Sequence, residues 1–79
     1  MNQDQEKTIK TILMRHARGL GIPEGAAESF IKEAILRAKK SLKDKTNPTD
    51  KMISSAIIKE LKKFSPDLAY IYQNYDKII

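Results

Sequence analysis

Gly19, Gly21, Pro23, Gly25, Pro48 and Pro66 are the only glycines and prolines in this chain, and they divide it before any other feature is read. Each falls at a boundary between segments whose apolar residues recur at i, i+3 and i+4, the period of an amphipathic helix. No segment sustains the alternation of a half-buried strand. This punctuation predicts an all-α fold, a compact four-helix domain with short Gly/Pro-punctuated connections.

The first helix is expected from about Asp4 to Arg18, with Ile9, Ile12, Leu13, His16, Ala17 and Leu20 on one face. Gly19 or Gly21 closes it in the left-handed conformation. Pro23 then opens the second helix, in a first turn where a missing N–H costs nothing. That helix, reaching about Lys43, places Ala27, Phe30, Ile31, Ala34, Ile35, Ala38 and Leu42 on an apolar arc, and Lys32, Arg37, Lys39, Lys40 and Lys43 on the opposite one. For the third helix, to about Lys63, Asn47 is the expected N-cap, Pro48 the first helical residue and Asp50 the acid near its positive end. Ile53, Ala56, Ile57, Leu61 and Phe64 point inward, with Ile58 at the edge. Ser65 and Pro66 repeat the cap signal for a fourth helix to about Lys77. Its stripe is Leu68, Ile71, Tyr72, Tyr75 and Ile78 or Ile79, which puts two tyrosines partly inside.

With 79 residues the chain has room for one core, so residues 1–79 read as a single helical domain, with 1–4 a flexible N-terminal tail. The absence of cysteine excludes disulfides, thiolate nucleophiles and thiolate metal sites, which leaves packing to hold the fold together. The first residues are polar and acidic where a secretory signal is basic and then apolar. No apolar run approaches the roughly 20 residues that span a bilayer. The expected location is the cytoplasm, with no membrane partner.

Catalytic chemistry finds no constellation here. His16 is the only histidine and lies within the apolar arc of its helix, where a half-buried, hydrogen-bonded role is expected. Ser54 and Ser55 sit in mid-helix without a nucleophile elbow. Glu28, Glu33 and Glu60 read as solvated residues supporting their helices through i, i+4 pairs, such as Glu33 with Arg37. The Gly19–Gly25 stretch lacks the preceding strand and the Lys-Ser/Thr ending of a phosphate-binding loop. No catalytic, cofactor-binding or metal-binding residue is assigned, and the chain is expected not to be an enzyme.

The net charge of +5 is concentrated, since the run from Lys32 to Lys45 holds six basic and two acidic residues. Lys32, Lys39, Lys40, Lys43 and Lys45 are therefore candidate contacts for an anion or for weakly bound nucleic acid. Leu36 lies inside the same arc and is a candidate anchor for an unidentified protein partner or for a second copy in a homodimer. The stretch from Ala17 to Ile31 has the spacing of a helix-turn-helix. Its second helix, however, offers Glu24 and Glu28 where a DNA reader presents basic or amide side chains, so it reads as a corner in the structural sense only.

The C-terminal half carries Glu60-Leu61-Lys62-Lys63, Leu68-Ala69-Tyr70 and Tyr75, and in these it resembles the end of the ATP-cone domain. In that family a helix ends in a Glu-Leu-Lys-like segment before a short break and an Ala-Tyr with further aromatics. The region from Ile9 to Leu42 is similar to the two preceding helices of the family. The resemblance implies a nucleotide-sensing regulatory module of the kind found in ribonucleotide reductases and a related transcriptional repressor. Those domains begin with a basic β-hairpin that contributes nucleotide contacts. The sequence shows no such segment before its first helix, so nucleotide binding is carried over to no residue.

Overall fold

The computed structural model describes residues 3–78, with the side chains of residues 75–78 outside the description. Four helices follow one another: α1 (Gln3–Gly19), α2 (Glu24–Ser41), α3 (Asp50–Phe64) and α4 (Pro66–Ile78). Every one has an acidic residue in its first turn, namely Asp4 and Glu6, Glu24, Asp50 and Asp67. These charges face the positive end of the helix dipole. α1 starts inside the stretch expected as a tail; Met1 and Asn2 lie outside the described residues.

The connections explain the helix ends. Gly21 has φ +77°, and it is Gly21 rather than Gly19 that adopts the left-handed conformation. Its N–H donates to the Arg18 carbonyl at 3.0 Å, and the Ile22 N–H donates to the Ala17 carbonyl at 3.0 Å. These paired bonds form a Schellman motif and satisfy carbonyls the helix would leave open. Pro23 stands outside α2: its ψ of 137° is extended, and only its carbonyl joins the helix, accepting from Ala27 N–H at 2.9 Å. At the other end α2 stops at Ser41, two residues before the expected Lys43, with Leu42 as its C-cap.

The start of α3 also differs from expectation. Thr49, not Asn47, is the N-cap; its backbone is extended and its Oγ1 accepts from Met52 N–H at 3.1 Å. Thr49 is followed directly by Asp50 at the dipole's positive end, so Pro48 precedes the helix instead of opening it. Ser65 behaves as expected and serves two helices. Its N–H donates to Leu61 O at 2.7 Å, closing α3, while its Oγ accepts from Leu68 N–H at 3.2 Å, opening α4 at Pro66.

The helices form a ring in which α2 packs on α1 and α3, and α4 packs on α3 and α1; among the described residues the diagonal pairs bring no Cα atoms within 8 Å of each other. The Cα radius of gyration, 11.7 Å, matches the roughly 11.6 Å expected of a compact 79-residue domain. Leu13, Ile31, Ile57, Leu61 and Leu68 are fully buried at the centre, one or two from each helix. Ala27, Ala34 and Ala38 line the inner face of α2 and let its neighbours approach closely. Ile9, Ala17, Ile35, Ile53, Ala69 and Tyr72 complete the core, with Ile12, Ile22, Phe30, Leu42, Ala56 and Ile58 packed at its margin.

Three residues, Leu20, Phe64 and Glu60, depart from the expected faces. Leu20 is exposed, because it lies beyond the last turn of α1, and Phe64 keeps 42% of its surface in solvent at the end of α3. Tyr72 is buried and Tyr70 is exposed; Tyr75, Ile78 and Ile79 lie outside the residues whose side chains are described. Glu60, expected as solvated, is 8% exposed. Its position on α3, one turn after Ile57 and one turn before Phe64, faces inward, and Lys63 donates to both carboxylate oxygens at 3.3 and 3.5 Å.

Candidate functional site

The outer surface between α1 and α2 forms a shallow groove, and its walls follow from the two helical periods. Three ion pairs tie these helices side by side in opposite directions: Lys39 Nζ to Glu6 Oε2 at 3.1 Å, Lys10 Nζ to Glu28 Oε1 at 3.5 Å and Arg18 to Glu24 at 3.8 Å. The corner at Gly19–Pro23 thus joins an antiparallel αα-hairpin. From α2 the groove is lined by Gly25, Ser29, Lys32 and Leu36, together with the buried Ile35.

Leu36 is 47% exposed. Around it the groove is charge-balanced, with Asp4, Glu6, Glu28 and Glu33 against Lys7, Lys10, Lys32 and Lys39. The whole net charge of +5 therefore lies elsewhere on the chain.

The structure brings three of the six sequence-derived candidates, Lys32, Leu36 and Lys39, into this groove. Lys40, Lys43 and Lys45 are exposed at the end of α2 and in the loop after it and do not line the groove. Lys39 is engaged by Glu6, whereas Lys32, Lys40, Lys43 and Lys45 form no ion pair among the described residues. Arg37 pairs with Glu33 of its own helix. The hydrogen bond from its Nε to Glu33 at 2.9 Å, the charge of Glu33 and then that of Glu60 raise its pKa further above neutrality. The basic run thus divides between the groove, a pair within α2 and the helix end.

His16 is half-buried on α1. Among the described residues no three His, Asp or Glu side chains converge where they could hold a metal ion. None of the helices is long and apolar enough to cross a membrane.

Sequence reasoning missed Glu6, Lys10 and Glu28 as groove walls. The Glu6–Lys39 pair joins residues 33 positions apart, and only the packing of α1 against α2 creates it. No family model, curated protein or solved structure matches this chain.

Proposed function

We propose that this chain is a small, non-enzymatic, cytoplasmic regulatory or protein-interaction module, similar to the helical part of ATP-cone domains, that docks a protein through the α1/α2 groove. One observation carries this: Leu36, a large apolar side chain about half exposed, stands in a groove whose charges cancel. A desolvated apolar anchor surrounded by mixed charge is the usual anatomy of a protein interface. A polyanion gains no net attraction there.

The test compares the complexes formed by the wild-type chain, by Leu36→Glu and by Tyr70→Glu, the last altering an exposed site on α4. A partner lost with Leu36→Glu and retained with Tyr70→Glu supports the groove; equal retention by all three contradicts it. No residue is assigned to nucleotide. Melting in about 1 mM ATP is accordingly expected to be unchanged, and an upward shift would restore the sensing role that the family resemblance implies.

A second reading is favoured by the lysines that form no ion pair among the described residues. Lys32, Lys40, Lys43 and Lys45 could neutralise phosphates of nucleic acid without regard to sequence, with affinity falling steeply as salt rises. Titration of duplex and single-stranded DNA at two ionic strengths separates the two functions, because absence of binding at low salt removes this one.

A further inference from the structure

The lysine and arginine ion pairs that join one helix to another are unevenly placed. Among the described residues all of them lie between α1 and α2: Lys39 with Glu6 at 3.1 Å, Lys10 with Glu28 at 3.5 Å and Arg18 with Glu24 at 3.8 Å. The remaining pairs stay within a helix, Arg37 with Glu33 on α2 and Lys63 with Glu60 on α3. Each side chain of the three interhelical pairs keeps at least 28% of its surface in water. Dissolved salt therefore screens them.

The connections are unequal in the same sense. Gly21 is required at the α1/α2 corner by its positive φ. Gly19, the last residue of α1, has no such φ, and a Cβ added there would meet nothing within 4 Å. Neither turn geometry nor packing calls for glycine at that position, and what it adds is backbone freedom. By contrast, α3 and α4 are joined through Ser65 alone, whose N–H and Oγ are bonded to the helices on either side.

The apolar hold on α1 is also limited. It buries Ile9, Leu13 and Ala17, of which only Leu13 is both large and fully buried. Its seam with α4 is the least extensive of the four between neighbouring helices, whereas the α2/α3 and α3/α4 seams are the most extensive. Removing α1 leaves those two seams intact.

We infer that α1 opens as a unit about Gly19 while α2, α3 and α4 stay packed, and that the three ion pairs latch it shut. Detached, a 17-residue helix is marginal in water, so the amides of α1 lose their protection whenever the latch opens. Because α1 supplies Asp4, Glu6, Lys7 and Lys10 to the groove, each opening dismantles it. That consequence rests on the groove being the docking surface; the opening itself does not.

Native-state hydrogen exchange of the full chain, followed by NMR at about 0.05 M and about 0.5 M NaCl, tests it. The amides from Leu13 to Ala17 should share one protection factor, at least about tenfold below that of Ile57 to Leu61. The higher salt should speed α1 exchange about threefold and leave α3 unchanged. Lys39→Gln should speed α1 exchange about twofold at low salt and reduce its response to salt. Arg37→Gln, which removes a pair within α2, should leave the ratio of α1 to α3 exchange as it is.

Protection that falls steadily from Ala17 toward Ile9 would mark fraying from the chain end and overturn opening as a unit. Equal protection in α1 and α3 would overturn it as well, because α1 would then unfold only with the whole domain. Uniform, fast exchange of α1 that ignores both salt and Lys39→Gln would overturn the ionic latch.

Discussion

The rings of Phe30 and Phe64 stack with centroids 5.9 Å apart and planes inclined by 13°. The pair fastens the first half of α2 to the last residue of α3, at an edge where Phe64 is still partly in water. Phe64→Ala is expected to cost about 2 kcal/mol, below the roughly 3–5 kcal/mol typical of a fully buried ring. A double-mutant cycle with Phe30→Leu and Phe64→Leu should return a coupling of about 0.5–1.5 kcal/mol. A coupling near zero would mean that the two rings contribute only through their separate burial.

Gly21 and Gly25 should respond oppositely to alanine. At Gly21 the positive φ makes the substitution cost about 1–2 kcal/mol. Gly25 lies inside α2 with open space around it, and alanine there should stabilise by about 0.5 kcal/mol. Thermal melts resolve both, since about 1 kcal/mol moves the midpoint of so small a domain by roughly 4–8 °C. A Gly21→Ala melt equal to wild type would contradict the Schellman closure of α1.

Glu60 is the one buried charged residue among those described. Its partner Lys63 is about half exposed and can return to water when the carboxylate is removed. Glu60→Leu is therefore expected to be neutral or stabilising by about 1 kcal/mol in urea denaturation, because desolvation offsets most of the pair's attraction. Destabilisation beyond about 2 kcal/mol would show instead that the carboxylate's attraction for Lys63 and Arg37 outweighs its desolvation.

Should nucleic acid bind, the lysines will not contribute equally. Lys43→Ala and Lys45→Ala should each reduce the slope of log affinity against log salt by about 1. Lys39→Ala should change it less, because Glu6 already holds that ammonium at 3.1 Å. Equal effects from all three would mean that the Glu6 pair opens on binding.

What was legible in the sequence and what was not divide along a physical line. Ser65 and Pro66 were readable because a cap is a local chemical event spanning a few residues. Asn47 with Pro48 matches the local cap signal, yet α3 is capped two residues on at Thr49, whose Oγ1 accepts from Met52 N–H directly before Asp50. Glu60 was misjudged by residue type, although its place between Ile57 and Phe64 already pointed inward. Leu36 was correctly set outside because its position opposes Ala34, Ile35 and Ala38. Its surroundings were not legible: Lys32 and Lys39 read as one basic arc with Lys40 and Lys43, whereas the packing of α1 supplies the acids that neutralise the groove.

The most direct measurement compares, side by side, the complexes captured by the wild-type chain, by Leu36→Glu and by Tyr70→Glu. A partner held by the wild type and by Tyr70→Glu but lost with Leu36→Glu is the result expected if the α1/α2 groove is where the molecule docks. Equal retention by all three would contradict it.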